Sequence, residues 1–392
     1  MAKRGSNETI RSDYQRYLSE SYAVPEIVIS SGKGAYLRDA DGKRYLDFLS
    51  GIATNALGAA HPRIISAVSA QVRAVSHISN FYAHSETIKL ASRLQGMVGD
   101  QAARVFFCNS GAEANEAAIK ISRLTGRSEI IAMRGAFHGR TMGALSITGQ
   151  EAKRKPFFPL LKGVKFCDFD DLNSLRRAVS RRTAMVIVEP IQGENGVVVP
   201  AFGYLAEVAE LTRSVGALFA IDAVQTGMGR TGQWFGYEDE GVKPDLITLA
   251  KGLGGGLPMG AMIATSTSPQ FAPGQHGTTF GGNPVVAAAA NAVIDVIEEE
   301  GLMKRAIELH DRLSDSISEI SGVEHVRGKG LLIGIVLEYP QAKSVVKALQ
   351  EEGVLANAAN DRVVRLAPPL IITRKEVDLF IKKFTSVMEH VS

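Results

Sequence analysis

The sequence of 392 residues is poor in the features that mark secreted, metal-binding and membrane proteins. Only two cysteines occur, Cys108 and Cys167, both inside apolar strand-like runs. So few thiols exclude a disulfide scaffold and a cysteine-based metal site, and they favour a reducing compartment. No apolar run approaches the roughly 18 residues that a membrane-spanning helix requires, and the charged N-terminal region lacks the apolar stretch of a signal peptide. We therefore expect a cytoplasmic protein without a metal site.

An excess of charge of one sign is also missing. The formal net charge of +3 is too small to indicate a nucleic-acid partner, and the basic run Lys153-Arg154-Lys155 is too short to form a basic stripe. Hydrophobic residues make up 45% of the chain and charged residues 22%. These fractions are ordinary for a soluble globular protein, and the length is ample for a large core.

Strand-like and helical segments alternate from about residue 86 to residue 300. The strand-like segments are near-continuous apolar runs, at residues 104–108, 129–133, 164–166, 184–188, 217–221 and 246–250. Such runs between helices favour a largely parallel sheet that is covered by helices on both faces. Residues 260–264 follow the preceding run closely, so we expect them to pair antiparallel.

After about residue 300 the pattern changes to helix, strand, helix, short strand and final helix. In the last helix, apolar residues from Val377 to Val391 fall at helical spacing. This pattern predicts a smaller α+β domain. We divide the chain into an N-terminal segment at residues 1–60 that contributes to the small domain, a large domain at 61–300, and a C-terminal small domain at 301–392.

Lys251 ends the apolar run 246–250 and is followed by glycines. Burial lowers the pKa of a lysine, and an amine with a lowered pKa is a nucleophile suited to condense with a carbonyl. Taken alone, Lys251 also fits a surface lysine that opens a glycine-rich loop. About thirty residues upstream, however, Asp222 ends another apolar run. A lysine and an acid so placed suit a pyridoxal phosphate (PLP) site, where the carboxylate keeps the ring nitrogen protonated.

The segment 109–120 follows a strand-like run and opens a helix. Ser110, Gly111 and Ala112 would present backbone N–H groups and a hydroxyl at the positive end of the helix dipole, where a phosphate binds well. Ordinary capping by Ser110 explains the same residues without a ligand. The pattern G-x-x-x-x-G-K-[ST] is missing, and the glycines of residues 252–256 do not form G-x-G-x-x-G, so neither nucleotide-binding loop is predicted.

Two arginines suit carboxylate binding. Arg140 closely follows Phe137, whose face could cover a cofactor ring, and a guanidinium fork can hold a carboxylate through two hydrogen bonds. Arg365 lies in an apolar setting and needs an acidic partner, for which Glu194 is a candidate. Alone, Phe137 also fits a core position and Arg140 a surface position. The polar loop 276–284 offers hydroxyls that could reach a phosphate, although taken alone an ordinary turn explains it better.

Together these motifs resemble the class III aminotransferases of PLP fold type I, from about Tyr22 to Leu370. The resemblance implies an α/β fold, with a mostly parallel seven-stranded sheet between helices in the large domain and a smaller α+β domain. It also implies a PLP cofactor and a homodimer whose active site lies at the interface. The implied reaction moves the amino group of an ω-amine, such as an acylated ornithine, to 2-oxoglutarate.

The resemblance further implies roles for individual residues. Lys251 would bind the cofactor aldehyde and shuttle a proton, and Asp222 would pair with the ring nitrogen. The residues implied to contact the cofactor are Ser110, Gly111, Ala112, Phe137, His138, Asp222, Val224, Gln225, Lys251 and Thr279 of the partner subunit. The residues implied to contact substrates are Arg140, Thr278, Glu194, Arg365, Tyr22 and Asn55. Among these, Arg140 would anchor the acyl-ornithine and Arg365 the α-carboxylate of glutamate, with Glu194 pairing to Arg365 between half-reactions.

Three residues depart from the pattern of the family. Ala223 replaces a glutamate beside Asp222, Ala59 replaces a histidine, and Asn195 stands where glycine is usual. The last two lie near the expected substrate entrance, so the preferred acyl group stays open. Other ω-amines are alternatives, namely succinylornithine, ornithine, 4-aminobutyrate and succinyl-diaminopimelate. An aminomutase or a PLP-binding regulator would use the same fold. The pair Arg365 and Glu194 argues against the mutase, and intact Lys251 argues against the regulator.

Overall fold

The N-terminal segment folds as a helix and a small antiparallel sheet in this computed structural model, which describes residues 6–391. Helix α1 spans Asn7–Tyr17, and the strands are β1 (Ile29–Lys33), β2 (Tyr36–Asp39) and β3 (Arg44–Asp47). The sequence from residue 26 to residue 48 predicts only strand, turn and strand, with the turn at residues 39–42. The structure has a third strand because Gly34, at a φ of 59°, makes a tight turn that the pattern did not reveal.

An unusual turn follows at α2 (Ser50–Ala53), before helix α3 (Pro62–Ala74). Four consecutive residues have positive φ, from 47° at Ser50 to 64° at Ala53, a conformation that costs roughly 1–2 kcal/mol for each residue other than glycine. Asp47 Oδ1 holds the turn by accepting bonds from the N–H groups of residues 49 and 50, at 2.9 and 2.8 Å. Ser50 Oγ donates to the carbonyl of Ala367 at 2.5 Å, so the turn is tied to the C-terminal part of the chain.

The middle of the chain forms a seven-stranded sheet between helices, as the sequence predicted. Its strands are β4 (Arg104–Cys108), β5 (Glu129–Met133), β6 (Val164–Cys167), β7 (Thr183–Val188), β8 (Leu218–Asp222), β9 (Leu246–Leu249) and β10 (Gly260–Ala264). The spatial order is β4-β10-β9-β8-β7-β5-β6. Strands β5 to β9 pair in parallel, whereas β10 pairs antiparallel with both β9 and β4. The prediction for residues 260–264 is therefore confirmed.

Helices cover both faces of this sheet. They are α4 (Ser85–Val98), α5 (Gly111–Arg123), α6 (Met142–Ile147), α7 (Glu151–Arg154), α8 (Leu172–Ala178), α9 (Tyr204–Ser214) and α10 (Pro284–Glu299). Neighbouring strand residues such as Ile130 and Ile131, or Met185 and Val186, belong to two separate apolar clusters. Because successive side chains point to opposite faces of a strand, the near-continuous apolar runs reflect burial on both faces.

The C-terminal part adds a second four-stranded sheet. Its elements are α11 (Leu302–Ser318), β11 (Val323–Lys329), β12 (Leu332–Leu337), α12 (Ala342–Glu351), β13 (Val354–Leu355), β14 (Asn357–Asn360), β15 (Val363–Leu366) and α13 (Arg374–Val391). Strands β11 and β14 escaped prediction because both are polar and partly exposed. Strand β13 instead pairs in parallel with β3, and Phe48 stacks on Phe380 at 4.2 Å. On these contacts we retain the division at residues 60 and 300 as a proposal.

Among residues 6–391, every helix is too short or too polar to cross a bilayer.

Candidate active site

A cavity of about 460 Å³ lies at the carboxyl ends of the central strands. Ligands bind at this edge in open α/β sheets, because the loops that leave parallel strands converge there. The predicted site residues that line the cavity are Ser110, Gly111, Ala112, Phe137, His138, Arg140, Glu194, Asp222, Val224, Gln225 and Lys251. The structure thus brings together residues that are up to 141 positions apart, from Ser110 to Lys251.

Lys251 follows β9 and opens a single 3₁₀ turn that ends before Gly255. Its φ of 45° lies in the left-handed region, which few residues other than glycine adopt and which clusters at functional sites. Burial is the main reason that the pKa of Lys251 falls below its usual value; Glu194 opposes the shift and Arg365 adds to it. A lowered pKa leaves more of the amine neutral, which is the form that attacks a carbonyl.

Asp222 ends β8 and is held by three donors. Its Oδ2 accepts from Asn115 Nδ2 at 2.8 Å and lies 2.7 Å from His138 Nδ1, and its Oδ1 accepts from the N–H of Val224 at 3.0 Å. The carboxylate is only 3% exposed. Such a constraint fixes its orientation, so that it can face a cationic group placed in the cavity.

Two ionisable groups near Asp222, His138 and Glu189, are also buried. Burial lowers the pKa of His138, but the bond to Asp222 and the negative charges of Asp222 and Glu189 outweigh that effect, so the pKa of His138 is raised. Burial raises the pKa of Glu189, and the charge of His138 offsets only part of the increase. These shifts favour a protonated His138 beside Asp222 and a neutral Glu189.

The helix N-terminus at residues 110–112 faces the same cavity. Ser110 Oγ caps α5 by accepting from the N–H of Glu113 at 3.2 Å, which confirms ordinary capping. The N–H groups of Gly111 and Ala112 have no acceptor among residues 6–391 and remain available to an anion. A Cβ on Gly111 would lie 2.8 Å from Cγ1 of Val224, so only glycine allows this close approach.

These groups fit PLP. Lys251 supplies an amine, residues 110–112 supply donors for a phosphate, and Asp222 supplies a carboxylate for a ring nitrogen. Phe137 and Val224 supply apolar faces for the ring. The cavity therefore has each of the contacts that this cofactor requires, and the assignment of individual contacts remains a proposal.

Arg365 and Glu194 form an ion pair beside the cavity. Arg365 comes from β15 and is 2% exposed, whereas Glu194 lines the cavity. The guanidinium also donates to Asn357 Oδ1 at 2.9 Å and to Gln225 Oε1 at 3.3 Å. Burial raises the pKa of Glu194, but the positive charges of Arg365 and Lys251 prevail and the pKa falls below its usual value. Glu194 is thus ionised and neutralises Arg365.

Besides Arg365, four predicted substrate or cofactor residues do not line the cavity. Tyr22 is 77% exposed, and Thr279 is exposed. Thr278 Oγ1 accepts from Asn109 Nδ2 at 3.3 Å, next to the cavity. Asn55 lies against the glycine loop, where its Oδ1 would be 2.3 Å from a Cβ on Gly256. The roles of these four residues remain the predictions made for them.

Sequence reasoning missed four polar residues of the cavity wall, Thr54, Asn109, Asn115 and Glu189. Glu189 directly follows the apolar strand β7, just as Asp222 ends β8, so the same signal could have found it. Asn115 interrupts the apolar stripe of α5 and is buried. Thr54 carries no comparable signal, because its position depends on the left-handed turn at residues 50–53.

The positions that depart from the family pattern have different surroundings. Ala223 is fully buried. Asn195 Nδ2 donates to Gln192 Oε1 at 2.9 Å, and Gln192 in turn donates to the carbonyl of Arg134 at 2.9 Å, so Asn195 braces the loop that carries Glu194. Ala59 exchanges backbone hydrogen bonds with Gly34 and does not line the cavity.

Comparisons with a family model and with curated relatives point to the same class of enzyme. The family model described as aminotransferase class III matches residues 17–388. The acetylornithine aminotransferase of Mycobacterium tuberculosis (strain ATCC 25618 / H37Rv) is 49% identical over 385 residues, which cover 97% of this chain and 96% of the relative.

Solved structures extend the likeness to the fold. The crystal structure of the ornithine aminotransferase from Toxoplasma gondii ME49 is 32% identical, with a TM-score of 0.93 and coverage of 99% of this chain and 96% of that one. The acetylornithine aminotransferase from Elizabethkingia anophelis is 30% identical, with a TM-score of 0.86 and coverage of 98% and 100%. The predicted fold is therefore confirmed.

Proposed function

The chain belongs to the class III aminotransferases, and from that premise we propose that it moves the δ-amino group of N²-acetylornithine to 2-oxoglutarate. The products are N-acetylglutamate 5-semialdehyde and glutamate, as in arginine biosynthesis. Relatives called acetylornithine aminotransferase, about 49% identical over nearly the whole chain, support this choice of substrate. The class uses PLP, and the fit of the cavity to that cofactor agrees.

PLP supplies an aldehyde that takes up the amino group and a ring that accepts electrons from the carbon that loses a proton. The residues of this chain do the rest. The ε-amine of Lys251 moves the proton, and its lowered pKa keeps a basic form available. Asp222, fixed by its three donors, holds a proton on the ring nitrogen. Phe137 and Val224 would hold the ring between apolar faces.

The observation that carries the proposal is the ion pair between Arg365 and Glu194 beside Lys251. While Glu194 neutralises Arg365, the cavity suits an ω-amine, which has no carboxylate near the reacting carbon. Glutamate carries a carboxylate on the reacting carbon, and that carboxylate can replace Glu194 on the guanidinium through two hydrogen bonds. One cavity can therefore accept two different amino donors in turn, as a ping-pong reaction requires.

We also propose that the chain acts as a homodimer. Large apolar side chains are strongly exposed near the cavity loops, with Phe81 at 93%, Tyr82 at 74% and Phe280 at 58%. Exposed apolar groups of this size mark protein–protein contacts. Phe280 directly follows Thr279, the residue expected to reach the cofactor of the partner subunit. Light scattering after size-exclusion chromatography tests this proposal, and a monomer of full activity would contradict it.

A cytoplasmic location is proposed from the cysteines. Cys108 and Cys167 are buried and free, and burial raises the pKa of Cys108 to about 12. Such thiols are inert and need no oxidising compartment. Fractionation of the source cells tests the proposal, because activity in the membrane or secreted fraction would contradict it.

A panel of amines tests the substrate. The holoenzyme is mixed separately with N²-acetylornithine, succinylornithine, ornithine, 4-aminobutyrate and succinyl-diaminopimelate, and the loss of the aldehyde absorbance is followed in a single turnover. We expect the highest kcat/KM with N²-acetylornithine. A preference for any other amine would replace this substrate while leaving the class intact. Failure of 2-oxoglutarate to restore the aldehyde form would instead argue for an aminomutase.

A further inference from the structure

The basic run Lys153-Arg154-Lys155 has no role in the site described so far, yet one of its members packs against Phe137, a residue of the cavity wall. Lys153 lies in α7 with its Nζ 5.4 Å from the ring centroid of Phe137. Arg140 places its Cζ 5.5 Å from the same centroid. Arg154 instead lies over Phe166, and Lys155 is exposed. Arg140 and Lys153, which lie near the ring of Phe137, form a pair of cations that we call the cationic rim.

The charges of the rim have no counterions of their own. Among residues 6–391, neither Lys153 nor Arg140 has a carboxylate oxygen within 4.0 Å. The ammonium of Lys153 donates to the side-chain oxygen of Gln150, which is a neutral group. Gln150 is itself fixed, because its Nε2 donates to the carbonyl of Gly135 at 2.9 Å. Lys153 is therefore held in place by groups that leave its charge uncompensated.

Such an arrangement is costly without a ligand. Lys153 is half-buried, and burial is the main cause of its lowered pKa. The positive charges of Arg140 and Arg365 lower the pKa further, and the negative charge of Glu194 raises it in part. Glu194 is the carboxylate whose charge raises the pKa of Lys153, and it is already paired with Arg365. A partly buried cation with cationic neighbours and no anion is destabilising unless an anion binds there.

We propose that Lys153 is a second cation of the substrate-carboxylate subsite and shares with Arg140 the carboxylate that lies farthest from the reacting carbon. In acetylornithine this group is the α-carboxylate, and in glutamate it is the distal carboxylate. The assignment of acetylornithine rests on the proposed function; the assignment of glutamate rests only on membership of the aminotransferases. Lys153 acts through binding and does not touch the reacting atoms.

The test compares the holoenzymes of wild type, Lys153→Gln, Lys153→Arg and Lys155→Gln in single turnovers. The amino donors are acetylornithine, glutamate and n-butylamine, which has no carboxylate. For Lys153→Gln we expect the concentration that gives half the maximal rate to rise about tenfold with the first two donors, which equals roughly 1.4 kcal/mol. Maximal rates should stay within about twofold, and butylamine should react as with wild type. Lys153→Arg should restore most of the affinity, and Lys155→Gln should match wild type.

Calorimetric titration with glutarate gives a readout without turnover. This dicarboxylate lacks an amino group, and its Kd should also rise about tenfold in Lys153→Gln. Unchanged affinities, or an equal loss with butylamine, would overturn the proposal. If wild type failed with acetylornithine but reacted with glutamate, the proposed function would fall, while glutamate and glutarate would still decide the role of Lys153.

Discussion

Two ion pairs beside Lys251 differ in how firmly they are held. In the pair of His138 and Asp222, the side chains are 0% and 3% exposed, and Asn115 and the N–H of Val224 bind the carboxylate as well. In the pair of Arg365 and Glu194, the arginine is 2% exposed but the glutamate is 24% exposed to the cavity. The first pair, called the enclosed pair below, is almost completely buried and borders the cavity with its carboxylate fixed. The second, called the accessible pair, has a glutamate that is partly exposed and that a ligand can displace.

This difference separates a fixed charge from an exchangeable one. Asp222 cannot change partners without breaking several buried hydrogen bonds, so it presents the same charge throughout a reaction cycle. Leaving a buried arginine without its anion costs roughly 3–5 kcal/mol. Arg365 can therefore release Glu194 only when another carboxylate replaces it. The enclosed pair suits the cofactor, and the accessible pair suits the choice between two substrates.

The largest effect is expected from Lys251→Ala, which removes the amine that both pairs surround. Turnover should fall by at least about four orders of magnitude, because Lys251 is the only lysine among residues 6–391 that lines the cavity and can act as nucleophile and proton carrier. The fold should be retained, since the change removes a partly desolvated charge. Steady-state assays and circular dichroism measure both effects, with the exposed Lys243→Ala as control. More than one per cent of the wild-type turnover would contradict the assignment of Lys251.

Breaking the enclosed pair with Asp222→Asn should have the next largest effect. The amide preserves shape but loses the charge that keeps a ring nitrogen protonated, so we expect single-turnover rates to fall about 10²–10³-fold. The pKa of His138 should fall too, because burial lowers it and its main anionic partner is gone. Stopped-flow absorbance measures the rates and nitrogen NMR follows His138. Asp168→Asn, at an exposed aspartate, is the control, and rates within tenfold of wild type would refute the role of Asp222.

Breaking the accessible pair should affect the two half-reactions differently. In Glu194→Gln, Arg365 keeps its charge and binds carboxylates without competition. We expect kcat/KM for acetylornithine to fall roughly 10–30-fold, while that for glutamate stays within about threefold or rises. Single turnovers with each donor measure the ratio, with Glu151→Gln as control. Equal losses with both donors would mean that the pair supports the structure only and does not select between substrates.

Much of the fixed part of the site could be predicted from the sequence. Lys251 and Asp222 each stand at the end of an apolar run, and the carboxyl ends of parallel strands meet at one edge of a sheet. The cap at Ser110 follows from a polar residue between a strand and a helix. The strands of the large sheet could also be predicted, because their burial on both faces gives near-continuous apolar runs. The helices between them were recognised from their helical spacing of apolar residues.

The parts that escaped prediction depend on contacts between distant segments. Strands β11 and β14 are polar and partly exposed, so their pattern resembles a loop. The left-handed turn at residues 50–53 is held by Asp47 and by the carbonyl of Ala367, a partner more than 300 positions away. Lys153 sits in an ordinary basic run, and only the packing of α7 against Phe137 distinguishes it from Lys155. The apolar setting of Arg365 predicted an acidic partner and made Glu194 a candidate, whereas the role of the pair between half-reactions came from the family resemblance.

The smallest effect concerns Glu189, the acid behind the enclosed pair, and it appears as a dependence of stability on pH. Burial raises the pKa of Glu189 above its usual value of 4.5. The folded chain therefore retains a proton that the unfolded chain has lost, and stability declines as pH rises from about 4.5 toward the folded pKa. In Glu189→Gln this decline disappears, whereas the bond from the N–H of Phe137, at 3.0 Å, can persist.

We expect the Tm of the variant holoenzyme to equal that of wild type near pH 5 and to exceed it by about 1–3 °C at pH 8. Calorimetry at both pH values measures the difference, and the exposed Glu151→Gln should show none. A variant less stable than wild type at pH 8 would mean that Glu189 is ionised in the fold and pairs with His138, which would make the enclosed region a three-charge network instead of one fixed pair.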